Sequence, residues 1–423
     1  MGEKITDYKM IIDGEFVDSK SGAKIQIECP SNKAFFATVP RGDKEDVDLA
    51  VNSSKKAFQS WYKVVPKERG KILLQIADDI EKTFSNFVKE PDNRNVEYIT
   101  NPEKDYKVSY KNLLEPRINL RKWLNKRDLT IIPSSTLCFK HNNQFQRSDK
   151  NNVYHQFIQD NYGISIATSS VHINLGIDNL DKLFAAIRLV RCEASLYLSI
   201  SASSPFLNNK LTNNHSQRWI QFPKTPNKVP FFYNHDDYIK WIEENIKNGN
   251  MYNIRHFWSS IRPNGPQRPH VLDRLELRIC DYISDIELLL AITALLELRV
   301  IYLFENLKTL DPLINSKFSF DQLIKICDQN EIKASQNSLD AELIHWKDGK
   351  KVICREWIKN VLADLSLTAE KLNMTHLLKP IYKVLEEGNQ SMKWIKQYKE
   401  GLSIEDIMKF TAHKMIQSEE ESI

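Results

Sequence analysis

The sequence predicts an α+β protein, on three observations. The stretch Ser169–Ile177 alternates at a period of two, with Val171, Ile173, Leu175 and Ile177 on one face and Ser170, His172, Asn174 and Gly176 on the other. Arg274–Asp281 repeats the pattern, setting Leu275, Leu277 and Ile279 against Arg274, Glu276 and Arg278. From about Asp285 to Gln417 the spacing turns almost wholly helical. Either strand alone reads as a half-exposed sheet strand. Together they place a histidine, a carboxylate and two arginines on polar strand faces.

With 423 residues and 41% hydrophobic content, the chain can bury a sizeable core and form two or three domains. Lys+Arg of 59 against Asp+Glu of 55 leaves a net charge of +4, with no basic run, so no nucleic-acid partner is expected. The six cysteines are scattered and none form a two-residue pair, which reads as reduced thiols and not as a zinc site or disulfide framework. No apolar core follows a basic start at the N-terminus, so no secretory signal is expected. Ile286–Phe304 is very apolar, but Glu287, Glu297 and Arg299 interrupt it, which predicts a buried helix and no membrane contact. The expected location is cytoplasmic. There are only 12 glycines, and no phosphate-cradling loop or Gly-x-Gly-x-x-Gly turn among them.

Taken in order, residues 8–40 show short β-like runs. Asp13-Gly14 between Lys9–Ile12 and Glu15–Val17 is a hairpin signal. Asp43 can cap a helix with Asp46 three residues on, whose stripe would be Val47, Ala50, Val51, Ser54, Ala57, Phe58 and Trp61. A second amphipathic helix is expected from Pro66 to about Lys82. The words Ile12-Asp13-Gly14-Glu15-Phe16-Val17, Cys29-Pro30, Asp46–Val51, Ala57–Trp61 and Glu68–Leu73 resemble the N-terminal segment of aldehyde dehydrogenases over about residues 8–82. That family's catalytic cysteine, glutamate and cofactor turn lie further along and do not follow here, so dehydrogenase activity is not expected.

Beyond Phe87 a loop leads into a short strand presenting Glu97, followed by a helix near Leu113–Leu124 and a strand at Leu129–Pro133. A helix over about Leu180–Ser199 ends in the turn Ser201–Phe206, and His215–Pro223 reads as a basic-aromatic strand edge. The tail Ser418–Ser422 reads as frayed.

Glu97, His172 and Glu276 form a partial shell suited to a metal–phosphate site, because magnesium prefers oxygen ligands. Arg218, Arg262 and Arg278 supply planar donors for carboxylate or phosphate oxygens. A second reading of the same residue types stays open: the two glutamates pair with these arginines as structural salt bridges, and His172 is a satisfied core histidine.

Residues from about 87 to 423 resemble a glutamate–cysteine ligase of the cyanobacterial type. The words that carry it are Phe87–Thr100, Thr136-Leu137, Arg147-Ser148-Asp149, Ser169–Ile177, Leu189–Ala194, Ser201–Phe206, His215–Pro223, Arg262–Pro266 and Leu272–Asp281, in family order. The resemblance implies a glutamine-synthetase-like fold, a curved and mainly antiparallel sheet with outer helices and a helical C-terminal region. It implies ATP-dependent ligation of L-glutamate to L-cysteine through an acyl phosphate, the first step of glutathione biosynthesis, with Mg2+ as cofactor. It makes Glu97, His172 and Glu276 metal ligands, Arg278 catalytic, and Arg218 and Arg262 substrate-binding. The implied division is 1–83, an appendage; 84–310, the catalytic core; and 311–423, the helical region. One departure stands out. The family's first strand bears a Gly-x-Glu-x-Glu-like pair of metal carboxylates, and here the dehydrogenase-like segment takes its place. The alternatives are a ligase-fold binding or interaction protein without turnover and a carboxylate–amine ligase with other substrates.

Overall fold

The computed structural model describes residues 6–28, 35–61 and 86–422. The chain divides into two compact units, 1–76 and 77–423.

In the first unit, β2 (Met10–Ile12) and β3 (Glu15–Val17) pair as the expected hairpin. Its turn puts Asp13 and Gly14 at φ of 57° and 80°, a conformation that a glycine adopts without strain. Around the hairpin, β1 (Thr6–Asp7), β4 (Lys24–Glu28) and β5 (Phe35–Pro40) form a three-stranded sheet in the order β1-β5-β4. Helix α1 (Lys44–Trp61) starts where the capping residues predict. Asp43 accepts from the Glu45 and Asp46 backbone N–H groups, and Asp46 accepts in return from that of Asp43. Three members of the expected apolar stripe are not buried: Val47 and Val51 are exposed, and Phe58 is 63% exposed. So short a segment has little apolar surface to set against them. The helix expected after Pro66 and residue Cys29 lie outside the described residues.

The second unit is built on a three-stranded antiparallel sheet. Strand β12 (Arg274–Leu277) runs between β11 (Ile261–Asn264) and β8 (Ile173–Gly176). The register sets Leu275 opposite Leu175 and Glu276 opposite both Asn174 and Arg262, so one face is apolar and the other carries charge. Where β11 leaves the sheet, the backbone of Gly265 runs so close to Val271 and Leu272 that an added Cβ would lie 2.2 Å from the Val271 carbonyl oxygen. Beside the sheet, β6 (Phe87–Lys89) and β7 (Val96–Tyr98) form a separate hairpin, and β9 (Phe206–Leu207) and β10 (Lys210–Leu211) form another.

Helices make up most of the rest of this unit. These are α2 (Tyr106–Asn125), α3 (Val153–Tyr162), α4 (Leu180–Ser201), α5 (Gln217–Gln221), α6 (His235–Lys247) and α7 (Ile286–Glu305). They are followed by α8 (Phe320–Asn337), α9 (Cys354–Lys371), α10 (Lys379–Glu387), α11 (Gln390–Lys399) and α12 (Ile404–Glu420). Every residue of α4 from Leu183 to Ser201 is buried, and one hydrophobic core runs continuously from Ile173 to Leu385. Among the described residues no helix is long and apolar enough to cross a membrane. Two of the charges that interrupt α7 are paired: Glu297 accepts from the Tyr106 hydroxyl, and Arg299 meets Glu193 of α4 through two bonds of 2.8 and 2.6 Å. The five cysteines among the described residues are free and buried.

Four local expectations are corrected. Helix α2 begins at Tyr106, not Leu113, because Asp105 caps it by accepting from the Lys107 N–H. Leu129–Pro133 carries no strand; the Ser134 N–H turns back onto the Ile132 carbonyl. Within His215–Pro223 a short helix, α5, replaces the strand, with Ser216 as its cap. The tail is not frayed either. Helix α12 continues into it as far as Glu420, and Glu419 is buried between Arg117 and Arg121 of α2, an ion pairing that no short-range pattern shows.

The pair between Glu193 and Arg299 yields a stability prediction. Glu193→Gln strands the Arg299 charge in the core and should cost about 3 kcal/mol, read as a lower urea midpoint with an unchanged denaturant slope.

Candidate active site

The charged face of the β11–β12–β8 sheet is centred on Glu276, which is 4% exposed. Arg262, its cross-strand neighbour, donates from Nε to Oε2 at 2.7 Å and from Nη2 to Oε1 at 3.3 Å. Asn264 donates to Oε2 at 2.9 Å, and Arg278 donates from Nη1 to Oε1. Burial alone would raise the carboxyl's pKa, but Arg278 and Arg262 outweigh it and hold Glu276 well below the ordinary carboxylate range. Arg262 is fixed in turn by the Phe257 carbonyl, which accepts from Nη1 at 2.7 Å. Its burial pulls its own pKa down to about 10.

His172 stands at the mouth of this cluster with its side chain 26% exposed. Its Nδ1 lies 3.4 Å from Arg278 Nη1, 3.7 Å from Glu276 Oε1 and 4.0 Å from Glu97 Oε1. An arginine can only donate, so Nδ1 accepts and Nε2 carries the hydrogen toward Ser170 Oγ, 3.2 Å away. Burial, then the Arg278 charge, lowers the His172 pKa well below its usual value and keeps the ring neutral at neutral pH.

On the facing hairpin, Glu97 lies opposite Val88, and Glu90 follows two residues after Val88, on the same face. Burial, then the neighbouring Glu97 carboxyl, raises the Glu90 pKa well above its usual value. The sequence reading missed Glu90, although the hairpin register contains the signal. Arg278 keeps a further donor in reserve: its Nε is buried with no partner.

The structure thus brings Glu97, His172, Glu276, Arg262 and Arg278 together and adds Glu90, Asn264 and Ser170. Arg218 sits differently. It is buried, donating from Nε to Asp281 Oδ1 at 2.7 Å and from Nη2 to the Ile279 carbonyl, while Asp281 also accepts from Ser203 N–H and from the Ser204 and Ser216 hydroxyls. Arg262 and Arg218, expected at the substrate, spend these donors inward on carboxylates and carbonyls of the fold, because a buried guanidinium must satisfy its donors locally.

Glu90 and Glu97 offer the oxygen chemistry that magnesium, the implied cofactor, prefers. Glu276 is already neutralised by two arginines and His172 offers nitrogen, which suits magnesium less well. Among the described residues, no three His, Cys, Asp or Glu side chains are grouped so that they could hold a metal ion.

The profile of glutamate–cysteine ligase family 2 matches residues 56–414. The chain belongs to this ligase family. A second profile, that of the aldehyde dehydrogenase family, matches residues 16–92. Among relatives of the ligase part is a protein of Legionella pneumophila (strain Corby), provisionally named glutamate–cysteine ligase 2-2. It is 26% identical over 241 residues, which are 56% of this chain and 61% of that protein. The N-terminal part is similar to aldehyde dehydrogenase family 2 member C4 of Arabidopsis thaliana, 40% identical over 83 residues, or 19% of this chain and 17% of that one. The chain spans about three fifths of the length of the ligase relatives that it matches. The crystal structure of glutamate–cysteine ligase from Francisella tularensis in complex with AMP superposes with a TM-score of 0.62 at 15% identity. It covers 79% of this chain and 82% of that one, and shows the shared fold. In this ligase-family unit, the charged cluster lies on the polar face of the sheet and the hairpin that carry Glu276, His172, Glu97 and Glu90.

The depressed Glu276 pKa sets a pH dependence. The folded state binds this proton less tightly than the unfolded chain, so the stabilisation is fully present above about pH 4.5 and is lost as pH falls below it. Glu276→Gln should flatten the acid limb of a stability-versus-pH curve, measured by chemical denaturation between pH 3 and pH 6, at about 2–3 kcal/mol lower stability at neutral pH.

Proposed function

We propose that the second unit joins the γ-carboxylate of L-glutamate to the amine of L-cysteine at the expense of ATP, the first step of glutathione synthesis. The observation that carries this reading is the facing of two charge systems. A carboxyl pair, Glu90 and Glu97, confronts a carboxylate–arginine cluster, Glu276 with Arg262 and Arg278, across His172. The first suits cations and the second suits phosphoryl oxygens. Membership of the ligase family supports the same reading.

In the proposed reaction the glutamate γ-carboxylate oxygen attacks the γ-phosphorus of ATP and ADP leaves, giving an acyl phosphate. The cysteine amine then attacks the acyl carbon, loses a proton and expels phosphate. Magnesium, held by Glu90 and Glu97, would screen the charge of the triphosphate. Arg278, through its unpartnered Nε, donates to an oxygen of the transferring phosphoryl group. Arg262 acts through Glu276 by fixing the carboxylate that aligns Arg278, and Arg218 acts through Asp281 by holding the turn at Ser203 and Ser204. His172 in its neutral form spaces Arg278 from Glu97. No side-chain nucleophile is needed.

A second reading, a ligase-fold protein that binds glutamate without turnover, draws on the lack of a three-residue metal group among the described residues. One experiment separates the two. ADP release is measured with Mg-ATP, glutamate and cysteine, each omitted in turn. The ligase reading expects release only with all three, and Glu97→Gln and Arg278→Met should each lower kcat/KM by about 100-fold or more. Glutamate binding without ADP release would favour the binding protein, and release with another amine would favour a ligase of different specificity.

A further inference from the structure

We propose that Glu419, near the end of α12, is a positioning residue for the site. It clamps together the two elements that carry the facing charge systems. Its carboxylate accepts from Arg121 at both oxygens, Nε to Oε2 at 2.6 Å and Nη2 to Oε1 at 3.0 Å, while Arg117 Nε lies 2.7 Å from Oε1. All three residues are buried, Glu419 being 3% exposed. From this triad two connections lead toward the site. Arg117 extends Nη1 to the Ser284 carbonyl at 2.6 Å, in the segment that follows β12 and Arg278. In the other direction, α2 receives β7: the Tyr98 hydroxyl donates to the Leu113 carbonyl at 2.9 Å, and Tyr98 is the residue after Glu97.

Helix α12 reinforces the grip at two more points. The Tyr110 hydroxyl of α2 lies 2.8 Å from Ser422 Oγ, and the Tyr282 hydroxyl, from the segment after β12, lies 3.7 Å from Met415 Sδ. That carboxylate therefore holds Arg117 of α2, which joins α2 to the end of the β12 segment through the Ser284 carbonyl, while Tyr98 joins α2 to the β6–β7 hairpin. The separation of Glu97 from Glu276 and Arg278 depends on that tie. The hairpin has no ladder with the β11–β12–β8 sheet; its loop is held at Gln146, Ser148 and Thr168, and its β7 end by the Tyr98 bond to α2. Two guanidiniums facing one buried carboxylate also make the tie stiff, since loss of that carboxylate leaves both cations buried and repelling.

The proposal deepens the ligase reading, on which only its catalytic consequence rests, and the test keeps the two apart. Glu419→Gln is compared with Glu193→Gln, which breaks a buried ion pair away from the hairpin. Three quantities are measured on the full chain: amide hydrogen exchange over residues 87–98, binding of Mn2+ alone by electron paramagnetic resonance, and the Mg2+ dependence of ADP release. Glu419→Gln should speed exchange over residues 87–98 about tenfold or more, weaken Mn2+ severalfold and raise the apparent KM for Mg2+ more than it lowers kcat. Glu419→Asp should restore part of each effect. Glu193→Gln should lower the unfolding midpoint while leaving the exchange pattern and the Mn2+ affinity as in the parent chain. If Glu419→Gln and Glu193→Gln change exchange over residues 87–98 equally, the clamp is refuted. Absence of ADP release from the parent chain, together with the expected exchange difference, refutes the ligase reading and leaves the clamp standing. Release from the parent chain, with exchange and metal binding untouched in Glu419→Gln, does the reverse.

Discussion

The bond on which the site depends is that between Glu276 and Arg262 across the β11–β12 ladder. A carboxylate so deeply buried is costly to keep charged, and two guanidiniums and an amide make it tolerable. The pairing also fixes Arg278, which is held by the same carboxylate two residues earlier in the chain. His172 then has a donor at Nδ1, which settles its tautomer, and Glu97 faces a neutral ring and a cation instead of a bare negative charge.

Much of the unit is organised by the same principle at larger scale. Glu193 with Arg299, Asp311 with Arg188, Asp281 with Arg218 and Glu419 with Arg117 and Arg121 are all buried, and each joins elements far apart in sequence. Such pairs add little net stability over apolar packing, but removing one partner is severe, so they favour one geometry over its neighbours. Here they fix α4 against α7, the turn at Ser203 and Ser204 against the end of the β12 segment, and α12 against α2. The two carboxylate-bearing elements of the site, which share no ladder, are placed by this framework.

The first unit presents the opposite case. Its hairpin and the cap of α1 form as their local signals dictate, yet Val47, Val51 and Phe58 remain exposed. Local rules suffice to build elements from a segment that matches only 17% of a dehydrogenase, but they cannot provide the surface those elements would bury.

The alternation in Ser169–Ile177 and Arg274–Asp281 was enough to orient both site strands, because a strand's two faces follow from its period and nothing else. The turn signal Asp13-Gly14 and the capping pair Asp43 with Asp46 worked because they too act between near neighbours. Family membership, too, was legible in the motif words. What the sequence left open was partner choice. It offered Glu97 and Glu276 both as metal ligands and as salt-bridge partners, and only the folded chain assigned Glu276 to Arg262 and Arg278 and set Glu97 beside Glu90. It likewise turned Arg218 inward and drew Glu419 out of an apparently frayed tail. Periodicity is a property of neighbouring residues, whereas the charge state and partner of a buried group depend on which distant residues share its low-dielectric surroundings. That is set by tertiary packing alone.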